Sequence, residues 1–93
     1  MPRHVVDRTE DHRYELVEDD GTVLGFTEYR PLGDALELPH TVIDPTQRGK
    51  GLGAELVAGA LDDLRSHGRR IVPTCWYVAE FVHRNPAYAD LLA

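Results

Sequence analysis

Ile43-Asp44-Pro45-Thr46-Gln47-Arg48-Gly49-Lys50-Gly51-Leu52-Gly53 is the stretch on which the reading of this chain turns. It leaves an apolar segment, bends at Asp-Pro, and carries three alternate glycines into an amphipathic run. From Leu52 the apolar residues fall at 52, 56, 57, 60, 61 and 64. That is one helical stripe, with Glu55, Asp62, Asp63 and Arg65 largely off it. Gly68 is placed to cap the helix end. Glycine has no Cβ, so a ligand can approach the backbone closely. The first N–H groups of a helix lack intrahelical partners, and the helix dipole favours an anion there. Loop and helix start together make a phosphate cradle. Taken alone, the glycines fit equally well a flexible connector that merely permits a turn.

Upstream of this stretch the period is two. Arg13-Tyr14-Glu15-Leu16-Val17-Glu18 alternates as a half-buried strand does. Asp19-Asp20-Gly21-Thr22 reads as a tight hairpin turn, and 23–30 as a second strand. Another turn at 31–34 leads to a third strand over 35–43. Pro39 lies inside that strand and cannot donate to a ladder, which implies a bulge, an edge or a splayed pair. Residues 1–12 are polar and read as an edge strand or a loose end. Downstream, 70–75 is short and β-rich, and Val78, Phe81 and Val82 suggest a second helix ending before Asn85-Pro86. Tyr88, Leu91 and Leu92 form a last helical turn or two. The order β-β-β-α-β-α is an α+β fold, an antiparallel-rich curved sheet with helices packed on it.

At 93 residues the chain is one domain, 1–93, with 42% hydrophobic and 28% charged residues. No apolar run approaches the roughly 18 residues of a membrane span. Met1-Pro2-Arg3-His4 lacks the apolar stretch of a signal peptide, and a cytoplasmic setting is the expectation. The single cysteine, Cys75, excludes an internal disulfide and a multi-thiolate zinc site, and no metal is expected. The net charge is −6, unevenly placed. Residues 1–46 carry four arginines against eleven acids, and residues 47–93 are close to neutral. An acidic chain is a poor partner for nucleic acid. Local positive charge at Arg48 and Lys50 points to a small anionic ligand.

Three motifs compete for the glycine loop. A P-loop needs Gly-x-x-x-x-Gly-Lys-Ser/Thr, and no such run exists. A dinucleotide fingerprint through Gly49, Gly51 and Ala54 fails on context, because an acid is wanted about 20 residues on, where Arg69-Arg70 stands. The third is Arg-x-x-Gly-x-Gly at Arg48, Gly51 and Gly53, which resembles the acetyl-CoA pyrophosphate loop of the GNAT superfamily of N-acetyltransferases. His40-Thr41-Val42, residues 71–78 and Asn85-Pro86-Ala87-Tyr88 extend the resemblance to a small single-domain GNAT-like subfamily, from about Tyr14 to Leu92.

The resemblance implies an acetyl-CoA-dependent transfer to an amine whose identity it leaves open. It implies that Arg48, Gly49, Lys50, Gly51, Leu52 and Gly53 hold the pyrophosphate. Backbone groups of Thr41, Val42 and Ile43 would pair with the pantetheine arm like an added strand, admitted by a splay near Pro39. Larger members carry one or two helices between the first two strands, where 19–22 is only a turn. His40 is a candidate general base, since an unperturbed imidazole titrates near pH 6.5; a hydrogen-bonded histidine at a strand end is the plainer alternative. By the same resemblance Cys75 lies near the thioester sulfur, to protonate the leaving thiolate or accept the acetyl group. A lone cysteine is otherwise a small buried hydrophobe. Glu37 is the runner-up base. Trp76 and Tyr77 read as core and groove lining, Tyr77 also as a proton donor, and Phe26, Tyr29 and Phe81 as core. A different class stays open: a CoA-binding module that carries or senses acyl groups without transferring them.

Overall fold

Alternation in Tyr14, Leu16, Gly25 and Thr27 gives two neighbouring strands a common inner face, and the rest of the molecule is built on it. The computed structural model describes residues 2–93. Strands β1 (Arg3–Arg8), β2 (Arg13–Glu18) and β3 (Val23–Glu28) form an antiparallel meander. The polar start of the chain is thus the edge strand, in register with β2 from Arg3↔Glu18 to Arg8↔Arg13. The β2–β3 turn closes as its sequence predicts, with Gly21 at φ +93 and the Asp20 carboxylate accepting from the Thr22 amide. A short 3₁₀ turn, Thr9–Asp11, and His12 at φ +53 separate β1 from β2.

The expected third strand, 35–43, divides. β5 (Ala35–Glu37) pairs antiparallel with β4 (Arg30–Leu32) and parallel with β7 (Ile71–Val72). β6 (Thr41–Ile43) pairs antiparallel with β3. Two sheets result, ordered β1-β2-β3-β6 and β4-β5-β7. The cause lies at Pro39, which has no N–H to give either ladder. On one side of it the Leu38 amide donates to the Val72 carbonyl at 3.0 Å. On the other the His40 carbonyl accepts from the Glu28 amide at 2.9 Å. The residues on either side of Pro39 therefore bond to different sheets. The second strand spans 23–28 where 23–30 is expected: the Tyr29 amide still donates to the His12 carbonyl just beyond β2, and Arg30 already belongs to β4 of the other sheet.

The stripe beginning at Leu52 becomes α1 (Leu52–Ser66), with Leu56, Val57, Leu61 and Leu64 buried against Tyr14, Leu16 and Leu24. Each such side chain contributes roughly 1.5–3 kcal/mol by burial. Helix and sheet touch so closely at Gly59 that an added Cβ would lie 2.8 Å from Val5 Cβ. Gly68, at φ +67, ends the helix: its amide reaches Arg65, and the Arg69 amide reaches Leu64, a Schellman closure. α2 (Trp76–Arg84) buries Val78 and Val82 in the same core. The final 3₁₀ segment, Pro86–Leu91, packs on α1 and α2 and buries Leu91. All helical segments in this core lie on the face bearing Tyr14 and Leu16. The opposite face bears Glu15, Phe26, Val42 and His40.

Candidate functional site

Where the two sheets part, a cleft of about 700 Å³ opens between β6 and the segment Thr74-Cys75-Trp76-Tyr77. Its floor is Pro39 and its far end is the glycine loop at the start of α1. One wall is an unpaired strand edge. In an antiparallel pair, alternate residues exchange bonds with the partner. Glu28 donates to His40, and Asp44 donates to Leu24 at 2.8 Å. Residues 40, 42 and 44 are thus turned towards β3, while Thr41 and Ile43 present their N–H and C=O groups to the cleft. Val42 faces β3 with its backbone, unlike its two neighbours. Gly25 permits this pairing, since a Cβ there would lie 2.6 Å from the Val42 carbonyl oxygen.

The loop is shaped before the helix begins. The Asp44 carboxylate accepts from both the amide and the hydroxyl of Thr46, at 2.9 and 2.8 Å, and starts the turn Pro45–Gln47. Those bonds hold its carboxyl below the usual range. Gly49 and Gly51 have φ +84 and +74, which side chains of L-residues rarely adopt, and a Cβ at either would meet nothing within 4 Å. The space above the backbone is open at both. Gly53 has a different reason for being glycine. It is helical, and its missing Cβ would lie 2.5 Å from the Tyr77 hydroxyl and 2.8 Å from that ring. Tyr77 thus lies across the first turn of α1. Arg48 lines the cleft and is exposed, Leu52 is buried beneath it, and Lys50 Nζ turns back to Gln47 at 3.1 Å without lining it.

Cys75 precedes α2 and is 8% exposed. Its thiol donates to the Thr41 hydroxyl at 3.7 Å, and that hydroxyl is 2.9 Å from the hydroxyl of buried Thr27. His40 also lines the cleft, but it is exposed and tilts against Phe26 with ring centres 6.3 Å apart. Thr41 and His40 are consecutive in an extended segment, so their side chains leave on opposite faces. Cys75 therefore meets the split from the helix-bearing face and His40 from the other. Glu37 is tied up: Arg30 donates to it at 2.6 Å and Thr74 at 2.7 Å, and these bonds hold its carboxyl low. A carboxylate so held is a poor base. Trp76, expected as core or groove lining, lines the mouth at 77% exposure. Phe26 is half-buried on the outer face and is not core. Pro39, Gln47 and Thr74 also line the cleft, and only Pro39 carried a sequence signal. Among the described residues no His, Cys, Asp and Glu cluster fits a metal ion, and no helix is long and apolar enough to cross a membrane.

The family model described as GCN5-related N-acetyl-transferase matches residues 13–91. The chain belongs to this family. Its α+β architecture agrees with that membership. A GCN5-like protein of Staphylococcus aureus, solved by NMR, superposes with a TM-score of 0.73 at 16% identity, over 97% of this chain and 87% of that one. Among curated proteins, Protein NATD1 of Bos taurus is 37% identical over 51 residues, 55% of this chain and 45% of its own length. Protein NATD1 of Homo sapiens is 33% identical over 51 residues, with the same shares covered. The chain thus matches about half the length of these curated relatives. Within the GCN5-related fold seen here, the split at Pro39 and the loop 48–53 are parts of one cleft.

Proposed function

We propose that this protein transfers an acetyl group from acetyl-CoA to an amine. The observation that carries the proposal is the division of strand 35–43 at Pro39, which opens a strand edge beside a glycine loop. The two features suit two parts of one molecule. The amides at the start of α1 and the left-handed Gly49 and Gly51 suit a pyrophosphate. The free edge of Thr41 and Ile43 suits an amide-bearing arm that adds as a strand.

The chemistry needs an unprotonated amine, an aligned thioester and a proton for the departing sulfur. The amine nitrogen attacks the thioester carbon, the C–N bond forms and the C–S bond breaks. His40, on the open face, takes the proton that the amine gives up. Cys75, on the other face, supplies the proton that the thiolate takes, or receives the acetyl group first and passes it on. The second reading, a CoA-binding module without efficient transfer, is favoured by one observation: the Cys75 thiol is buried and bonded to Thr41.

Incubation with acetyl-CoA followed by peptide mass mapping separates these roles. One added acetyl mass on Cys75 identifies an acyl acceptor. CoA release on adding amines, lowered by Cys75→Ala without loss of acetyl-CoA affinity, identifies an acid. Acetyl-CoA binding with neither adduct nor CoA release leaves the binding module.

A further inference from the structure

The sheet face that carries no helix is not a plain polar surface. Register places Arg8 opposite Arg13, Arg13 opposite Glu28, and Glu28 beside His40 through its bond to the His40 carbonyl. Three strand side chains and His40, just before β6, thus form one row across the sheet, ending at the mouth of the cleft. Like charges directly opposite each other destabilise a sheet, yet two arginines meet here. Glu15, beneath them and 5% exposed, answers two positive charges with one. Arg8 Nε reaches one of its carboxylate oxygens at 2.9 Å and Arg13 Nε the other at 2.9 Å. The Arg13 guanidinium also lies 4.5 Å above the centre of the Phe26 ring. Both guanidiniums are fixed in place, keep exposed surface, and carry a net positive charge.

Along the row, the imidazole of His40 is followed by the carboxylate of Glu28 and then by the guanidiniums of Arg13 and Arg8. Resting on the acyl-transfer reading of the cleft, we infer that this face binds the acceptor and that the acceptor is an amine carrying an anionic group. Its amine lies at Glu28 and His40, and its anionic group lies on the Arg8–Arg13 pair. Neighbouring strands are about 4.8 Å apart, so the two groups are separated by roughly 10 Å. An ω-amino acid, or a lysine presented beside its own carboxylate, has this chemistry. A simple alkylamine does not, and a diamine places a positive charge against the arginines. Complementary charge of this kind gives specificity more than raw affinity.

The test is an amide NMR titration with ε-aminocaproate and, separately, with hexylamine, which matches it in chain length without the carboxylate. Saturable shifts at Arg8, Arg13, Phe26, Glu28 and His40 are expected for ε-aminocaproate, with at least ten-fold tighter binding than hexylamine. Raised salt should narrow that gap. Replacing the arginines alone leaves Glu15 buried without a partner and threatens the fold. The variant is therefore Arg8→Gln, Arg13→Gln, Glu15→Gln together, which should bind both amines equally. Equal affinity in the wild type, a preference that survives in the triple variant, or no shifts on this face would overturn the assignment. Acetyl-CoA is titrated in parallel. If it fails to bind while the amines are still discriminated, the acyl-transfer reading falls and the anion clamp stands.

Discussion

Gly53 shows how one position acquires a role that its motif alone misassigns. The pattern Arg-x-x-Gly-x-Gly suggests that both later glycines clear room for phosphate. Gly51 fits that account, with φ +74 and open space above it, whereas Gly53 clears room for Tyr77. Gly53→Ala should therefore destabilise the wild type by about 1–3 kcal/mol through overpacking. In a Tyr77→Ala background the same change should stabilise slightly, because alanine is the better helix former by about 1 kcal/mol. Thermal unfolding of the four proteins gives the answer; an equal cost in both backgrounds would separate Gly53 from Tyr77. Arg48 is the contrasting case. It is exposed at the cleft, so in the proposed complex its attraction for phosphates would be screened by salt, and that of the helix-start amides less so. Arg48→Ala should weaken acetyl-CoA binding at low ionic strength and approach wild type at high. A loss of affinity independent of salt would give Arg48 a structural role.

Among the elements, β2 carries the clearest electrostatic consequence. Burial pushes the Glu15 carboxyl up, but the hydrogen bonds and charges of Arg8 and Arg13 outweigh it and leave the group below its ordinary value of 4.5. A lowered folded-state value means the stabilisation is complete above the unfolded value and disappears as pH falls through the folded one. Glu15→Gln should therefore be destabilising at neutral pH, and its deficit should shrink as the pH drops below about 4.5. Denaturant unfolding across that range checks the sign. A deficit that grows on acidification would contradict it. The 35–43 strand shows what pattern alone leaves undecided. Its residues are strand-like on both sides of Pro39, which allows a bulge, an edge or a splay. The choice is made by partners far along the chain: Val72 and Cys75 bond to Leu38, and Glu28 bonds to His40. Local propensity has no access to those partners. The 52–66 helix was legible because its stripe and its glycine stop are both local.

At the scale of the whole molecule, the one-sided packing of the helices decides what is exposed. Aromatic residues are usually buried, and Phe26 and Trp76 carry no local sign that they lie on a bare face and at a cleft mouth. The loop residues were readable because glycine and proline report backbone conformation directly. The pairing of Thr41 with Cys75 across the split was not, since it depends on how two sheets diverge. The proposed transfer requires acetyl-CoA to occupy the split between the sheets. An amide NMR titration of the wild type with acetyl-CoA tests it most directly. Saturable shifts are predicted at Thr41, Ile43, 48–53 and 75–77, lost in Gly51→Val. Shifts confined elsewhere, such as the groove lined by Pro73, Val82 and Pro86, or no shifts at all, would contradict it.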